Sequence, residues 1–322
     1  MTRILLVKTS SMGDIVHALP VIADIHAVRP GSEVHWLVEE PFGALPRMHP
    51  GVSRVIAVAF RRWRGRPFAA ATWREVEMYR HELREPHDFV IDAQGLTKSA
   101  LLALPAKGLR CGYAWGSGRD DFASVFYQRK LKVSLGLHAV ERNRQLVAQT
   151  LGYTVPATLD YGIRVPTLEG FPELHDLSAR RYAVLLHATS RPEKLWPEES
   201  WIALGSHLRA RGIRAVLPWG DANELTRSER LARVIADAWV PPRLGLEALA
   251  ALFGGSRAVI GVDTGLTHLA AAVGRATVGL YCATEPGLTG VYGSPVAVSL
   301  GGMGTPPTVS KVIEALDRIA PP

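Results

Sequence analysis

Two short stretches combine residue types that could do chemistry. In the first, Thr9-Ser10-Ser11-Met12-Gly13-Asp14 follows the apolar run Ile4-Leu5-Leu6-Val7 and precedes Ile15, Ala18, Leu19 and Ile22 at helical spacing. A carboxylate at a strand's carboxyl end could take a proton from an attacking hydroxyl, or Asp14 could merely cap the helix. In the second, Gly261-Val262-Asp263-Thr264-Gly265-Leu266-Thr267-His268 runs from a strand straight into a helix. Backbone N–H groups at Thr264 and Gly265 could hold a phosphate there, supported by the helix dipole. The loop from His187 to Lys194 also follows a strand. It adds two hydroxyls, Thr189 and Ser190, and the ammonium of Lys194. Each feature alone could be no more than a turn or a cap; together they describe an anion site.

The elements that must position these residues alternate between strand and helix. Residues 3–8, 33–38, 55–60 and 89–91 read as strands in the first half, and 182–187, 215–217, 258–262 and 277–281 in the second. Helical spacing covers 15–27 (bent at Pro20), 72–83, 138–151, 198–211, 224–236, 246–253, 267–273 and 309–319. That alternation predicts an α/β fold with parallel, doubly wound sheets covered on both faces. Pro156, Pro166 and Pro172, with Gly162 and Gly170, interrupt periodicity, so residues 161–180 read as a linker. The expectation is two domains, 1–160 and 181–322, with a cleft between them and the last helix free to pack back on the first.

Composition narrows the classes further. The chain has 322 residues, which suits two domains of roughly 150 each. It is 47% hydrophobic and 21% charged, and no apolar run approaches the ~18 residues of a membrane-spanning helix. The apolar run near the N-terminus is too short for a secretory signal. Cys111 and Cys282 are the only cysteines, which argues against a disulfide scaffold or structural zinc and fits a reducing cytoplasm. The net charge is +7 and the pI about 9.6, pointing to an anionic partner. Residues 54–84 alone hold eight arginines against three glutamates, although such a run is often only a solvated face. No G-x-x-x-x-G-K-[ST] loop occurs and no G-x-G-x-x-G follows a strand, which disfavours a P-loop nucleotidase or a dinucleotide oxidoreductase. His81 and His87 lack zinc-helix spacing and read as surface residues. No Asp-x-Asp follows a strand, so a sugar transferase that needs a metal is disfavoured.

The opening Ser10-Ser11-Met12-Gly13-Asp14-Ile15-Val16-His17-Ala18-Leu19-Pro20 resembles that of the bacterial lipopolysaccharide heptosyltransferases. So do Val90-Ile91-Asp92-Ala93-Gln94-Gly95-Leu96-Thr97-Lys98-Ser99, His138-Ala139-Val140-Glu141-Arg142, Leu217-Pro218-Trp219-Gly220 and Val262–Ala272, in order along the chain. Arg61-Arg62-Trp63-Arg64 and the lysine after His187 point to type I members of that family. The resemblance implies a GT-B glycosyltransferase built from two Rossmann-like domains. It implies inverting, metal-independent transfer of L-glycero-D-manno-heptose from ADP-L-glycero-β-D-manno-heptose to the Kdo of Kdo-lipid A, in inner-core synthesis and without a cofactor.

By the same resemblance, Asp14 is the general base. Thr189, Ser190, Lys194, Glu224, Leu244, Asp263, Thr264, Gly265 and His268 bind the donor. Arg61, Arg62, Arg64 and Arg119 are the candidates for the anionic acceptor. The implied location is the cytoplasm, peripheral at the inner membrane, where each basic residue near an anionic surface contributes about 1 kcal/mol. Two alternatives stand beside this reading. One is a paralogue adding a later core heptose. The other is a basic nucleic-acid binder, because Phe60, Trp63 and Phe68 interleave with arginines.

Overall fold

The computed structural model describes residues 1–321, which divide into two compact units, Met1–Ile163 and the described residues from Arg164 on. In the first unit the strands are Arg3–Val7 (β1), Glu33–Glu39 (β2), Arg54–Val58 (β3), Phe89–Asp92 (β4), Leu109–Tyr113 (β5) and Arg129–Leu131 (β6). The helices are Met12–Val16 (α1), Pro20–Val28 (α2), Ala44–Arg47 (α3), Phe60–Gly65 (α4), Ala70–Glu82 (α5), Thr97–Ala103 (α6) and Ala139–Leu151 (α7). All strand pairs are parallel, in the order β3-β2-β1-β4-β5-β6. At the centre Leu6 lies level with Trp36 on one side and Ile91 on the other, all fully buried. Such strands carry apolar side chains on both faces because helices cover both. The order reverses between β1 and β4, and ligands of doubly wound sheets bind beyond the strands' carboxyl ends at that reversal.

The second unit repeats the plan with Tyr182–Leu186 (β7), Arg214–Val216 (β8), Ala258–Val262 (β9), Thr277–Tyr281 (β10) and Ala297–Gly301 (β11). Its helices are Glu198–Ala210 (α8), Ala222–Val234 (α9), Leu246–Gly255 (α10), Gly265–Ala272 (α11), Pro286–Thr289 (α12) and Val309–Ile319 (α13). The parallel sheet runs β11-β10-β9-β7-β8, so here the reversal falls between β7 and β9. Trp196 and Trp201 pack edge to face at 5.0 Å within its core.

Several expectations need correction. The single helix over 15–27 is two helices, with Pro20 at the first position of α2, where a missing N–H costs nothing. The strand expected to 60 ends at Val58, and α4 follows at once. Strands β5, β6 and β11 were not foreseen, because exposed basic or small residues dilute their apolar pattern. The stretch 161–180 is not a free linker: the first unit runs to Ile163, and Leu174 and Leu177 beyond it are buried. Val312 and Leu316 of α13 join the core of the second unit, because its narrow apolar stripe is covered by α8, β10 and β11. His87 is buried rather than on the surface, its Nε2 lying 3.0 Å from Nδ1 of His35 where the chain turns under the sheet into β4. His81 is exposed as expected.

Candidate active site

Asp14 lies in the first turn of α1, directly beyond the carboxyl end of β1. The helix cap is Ser11, not Asp14; Asp14 closes the capping box by accepting the Ser11 amide at 3.1 Å. Arg119, beyond β5, holds the same carboxylate with two parallel bonds, to Oδ2 at 3.0 Å and to Oδ1 at 2.6 Å. Lys8, at the end of β1, is buried and donates to the Ala93 carbonyl at 2.6 Å and to Asn143 Oδ1 at 3.2 Å. Lys8, Asp14, Tyr113, Arg119 and Arg142 line one cavity of about 20 Å³, enough for roughly one water. Burial alone would raise the Asp14 pKa, but the charges of Lys8 and Arg119 and the bonds from Arg119 and Ser11 hold it below the ordinary carboxylate range. Burial pushes Lys8 the other way from its ordinary value, down to about 8, partly opposed by the charge of Asp14.

A chain of hydrogen bonds fixes this loop from the neighbouring strand. Gln94 Oε1 accepts the amides of Thr9 and Ser10, each at 3.1 Å. The Gln94 amide in turn donates to Asp92 Oδ1 at 2.9 Å. Asp92 is buried at the end of β4 and also accepts Ser99 Oγ at 2.8 Å and the Tyr127 hydroxyl at 2.7 Å. The two loops at the sheet's reversal point are thus tied together. A carboxylate has about four acceptor sites; Arg119 and Ser11 leave Oδ1 room to take one more proton.

The remaining arginines do not gather into one patch. They lie on α4, where successive side chains diverge around the helix. Arg61 sits over the Phe42 ring at 5.8 Å, and Arg62 is held by Glu40 at 2.9 Å and Glu75 at 2.5 Å. Arg62, one of the acceptor candidates, is thus already engaged by two carboxylates. Arg64 borders a separate groove. Of the four candidate arginines, Arg119 is the one bonded to Asp14.

In the second unit, the loops after β7 and β9 converge on Asp263. Its Oδ2 accepts Lys194 Nζ at 2.5 Å and the Thr284 hydroxyl at 2.7 Å, and Oδ1 lies 3.6 Å from His268 Nε2. The Thr189 hydroxyl donates to the Asp263 carbonyl at 3.3 Å. Burial would raise the Asp263 pKa, but His268, Lys194 and Thr284 together keep it well below the usual range. Thr264 is the N-cap of α11 and no side chain caps that helix; the Thr267 amide bonds the Thr264 carbonyl at 3.1 Å, which leaves the Gly265 and Leu266 amides to face an anion. Lys194 has three donor hydrogens and Asp263 engages one. Ser190 is exposed on the same loop. Glu224 stands apart, in the first turn of α9, accepting the Gly220 amide at 2.7 Å. Leu244 is half-buried ahead of α10. Among the described residues, no cluster of three His, Cys, Asp or Glu side chains could hold a metal ion.

The family model of glycosyltransferase family 9 (heptosyltransferase) matches residues 76–315. The chain belongs to this family. Lipopolysaccharide heptosyltransferase 1 of Escherichia coli K12 is 46% identical over 294 residues, 90% of this chain and 91% of the relative. The structure of E. coli heptosyltransferase WaaC with ADP matches at a TM-score of 0.90 and 42% identity, over 99% of this chain and 100% of that one. WaaC with ADP-2-deoxy-2-fluoro heptose matches at 0.87 and 41%, over 98% and 99%. This heptosyltransferase thus has the two-sheet α/β fold of its glycosyltransferase relatives.

Lys8, Gln94, Asp92, Asn143 and Thr284 support the site but were not singled out from the sequence. Lys8 follows four apolar residues and is the charged end of a buried strand, which is a readable signal. Thr284 carries none, and Gln94 stands within the quoted 90–99 stretch without its role showing, because both roles depend on which strand lies beside which.

Proposed function

We propose that the chain moves L-glycero-D-manno-heptose from ADP-heptose to the Kdo of a Kdo-lipid A acceptor, with inversion and with Asp14 as general base. The observation that carries this reading is a carboxylate at the reversal of the first sheet, kept ionised by Lys8 and Arg119 and still able to accept one proton. In the reaction the acceptor hydroxyl attacks the anomeric carbon. The proton passes to Asp14 as the bond to the diphosphate breaks and ADP leaves. Lys194, Thr189, Ser190 and the open start of α11 at Thr264-Gly265 receive the diphosphate charge. Preorganised donors of this kind stabilise a leaving group without reorganising during the step. Glu224 and Leu244 are assigned to the nucleoside, and Asp263 and His268 to orienting Lys194. Arg119, with Arg61 and Arg64, is assigned to the anionic acceptor.

Among the described residues no helix is long and apolar enough to cross a membrane. The acceptor is a lipid, so we assign a peripheral position at the cytoplasmic face of the inner membrane. Of the three aromatics behind the nucleic-acid reading, Trp63 is buried with its indole N–H on Glu75 at 2.6 Å and Phe60 is half-buried, which leaves only Phe68 exposed for stacking and disfavours that partner. The deciding experiment measures ADP release from ADP-heptose with and without Kdo-lipid A. Release that depends on Kdo-lipid A is expected. Release that requires an acceptor already carrying heptose would instead assign the chain to a later step.

A further inference from the structure

Helices α4, α5 and α6 enclose a groove of about 540 Å³ whose apolar walls have no part in the reaction described above. Trp73, Val76 and Arg80 recur along α5 at three- and four-residue spacing, so one stripe of that helix faces it. Phe60 of α4 and Leu101 and Leu102 of α6 form the opposite walls. The Tyr79 hydroxyl donates to the Leu102 carbonyl and ties α5 to α6. Trp73 is 62% exposed and Leu101 48%, an unusual display of large apolar side chains on facing walls. Arg64, Arg80 and Lys98 border the same groove. An apolar trough with cationic edges fits an anionic amphiphile. Lys98 also links the groove to the loop that carries Asp14, its Nζ donating to Ser10 Oγ at 3.2 Å.

We infer that this groove holds one acyl chain of the lipid that carries the acceptor sugar, with Arg64, Arg80 and Lys98 facing its anionic headgroup. The inference rests on the lipid-linked acceptor proposed above and adds where its apolar part binds. A chain laid here removes its methylenes from water, and the acceptor sugar is presented beside the Asp14 loop.

The test compares Trp73→Ser and Leu101→Ser with wild type, using the acylated acceptor and the same acceptor with its acyl chains removed. Both positions are exposed, so the fold tolerates the changes, and thermal unfolding checks this. KM for the acylated acceptor should rise about tenfold in each variant, while KM for the deacylated acceptor and for the donor stays unchanged. Equal shifts on both acceptors, or none on either, would overturn the groove assignment. So would variants that lose binding to anionic phospholipid vesicles yet keep the wild-type ratio of the two KM values, because the groove would then dock the bilayer. Wild type that turns over neither acceptor refutes the lipid-acceptor reading itself, which separates the two failures.

Discussion

At the scale of single residues, the tension lies in a proposed base whose surroundings weaken it. Arg119 and Lys8 keep Asp14 ionised, and the same charges lower its affinity for a proton. Asp14→Asn keeps the size and removes proton acceptance. It should lower kcat by roughly 10²–10⁴ with donor KM near normal; wild-type turnover in that variant would remove Asp14 from the mechanism. Arg119→Ala takes away a neighbouring cation and two hydrogen bonds to the carboxylate, so the Asp14 pKa must rise. The acid limb of kcat/KM should therefore move to higher pH, and the acceptor KM should rise with it. An unmoved acid limb would show that Arg119 does not set the state of the base. Asp14 was legible as a candidate because an acid after a strand and before a helix is a local pattern. Its pairing with Arg119, 105 residues away, is not local, and no spacing announces it.

At the scale of elements, alternating apolar runs and helical spacing were enough to anticipate both parallel sheets, since a strand buried on both faces writes itself as a continuous apolar run. What stayed hidden were elements whose composition contradicts their conformation. α4 is arginine-rich and ends in Gly65, so no apolar spacing marks it as a helix, and its helical turn scatters Arg61, Arg62 and Arg64 in different directions. The clasp between loops was hidden for another reason. Gln94 matters only because β4 lies beside β1, and strand order is not written in either segment. Gln94→Ala should leave the Thr9 and Ser10 amides without their acceptor, costing about 1–3 kcal/mol of stability. Because those amides belong to the loop before Asp14, kcat should fall while donor KM holds. A variant with lower stability but full kcat would reduce the clasp to a structural bond.

At the scale of the whole molecule, the eight arginines of residues 54–84 overstate the free positive surface there, because Arg54 and Arg62 are already paired with glutamates. The more consequential charge is buried. Lys8 has its pKa pushed from 10.5 to about 8 in the folded chain, chiefly by burial. Between those two values the unfolded chain binds more protons at this position than the folded one. Stability must then rise with pH across that window, by at most about 1.4 kcal/mol per pH unit from this group. Below about 8 both states are protonated and the cost of burying the ammonium is fully present; above 10.5 it is gone. Other lysines and tyrosines titrate in the same range, so the informative quantity is the difference between wild type and Lys8→Met. Urea unfolding from pH 7.5 to pH 10.5 should show wild type gaining on the variant throughout the upper part of the range. Activity should move oppositely, since loss of the Lys8 proton removes a cation that makes the cavity attractive to an anion, while Asp14 stays ionised throughout this range. A wild-type alkaline limb near pH 8 that persists unchanged in Lys8→Met, together with parallel stability curves, would place the titrating group elsewhere.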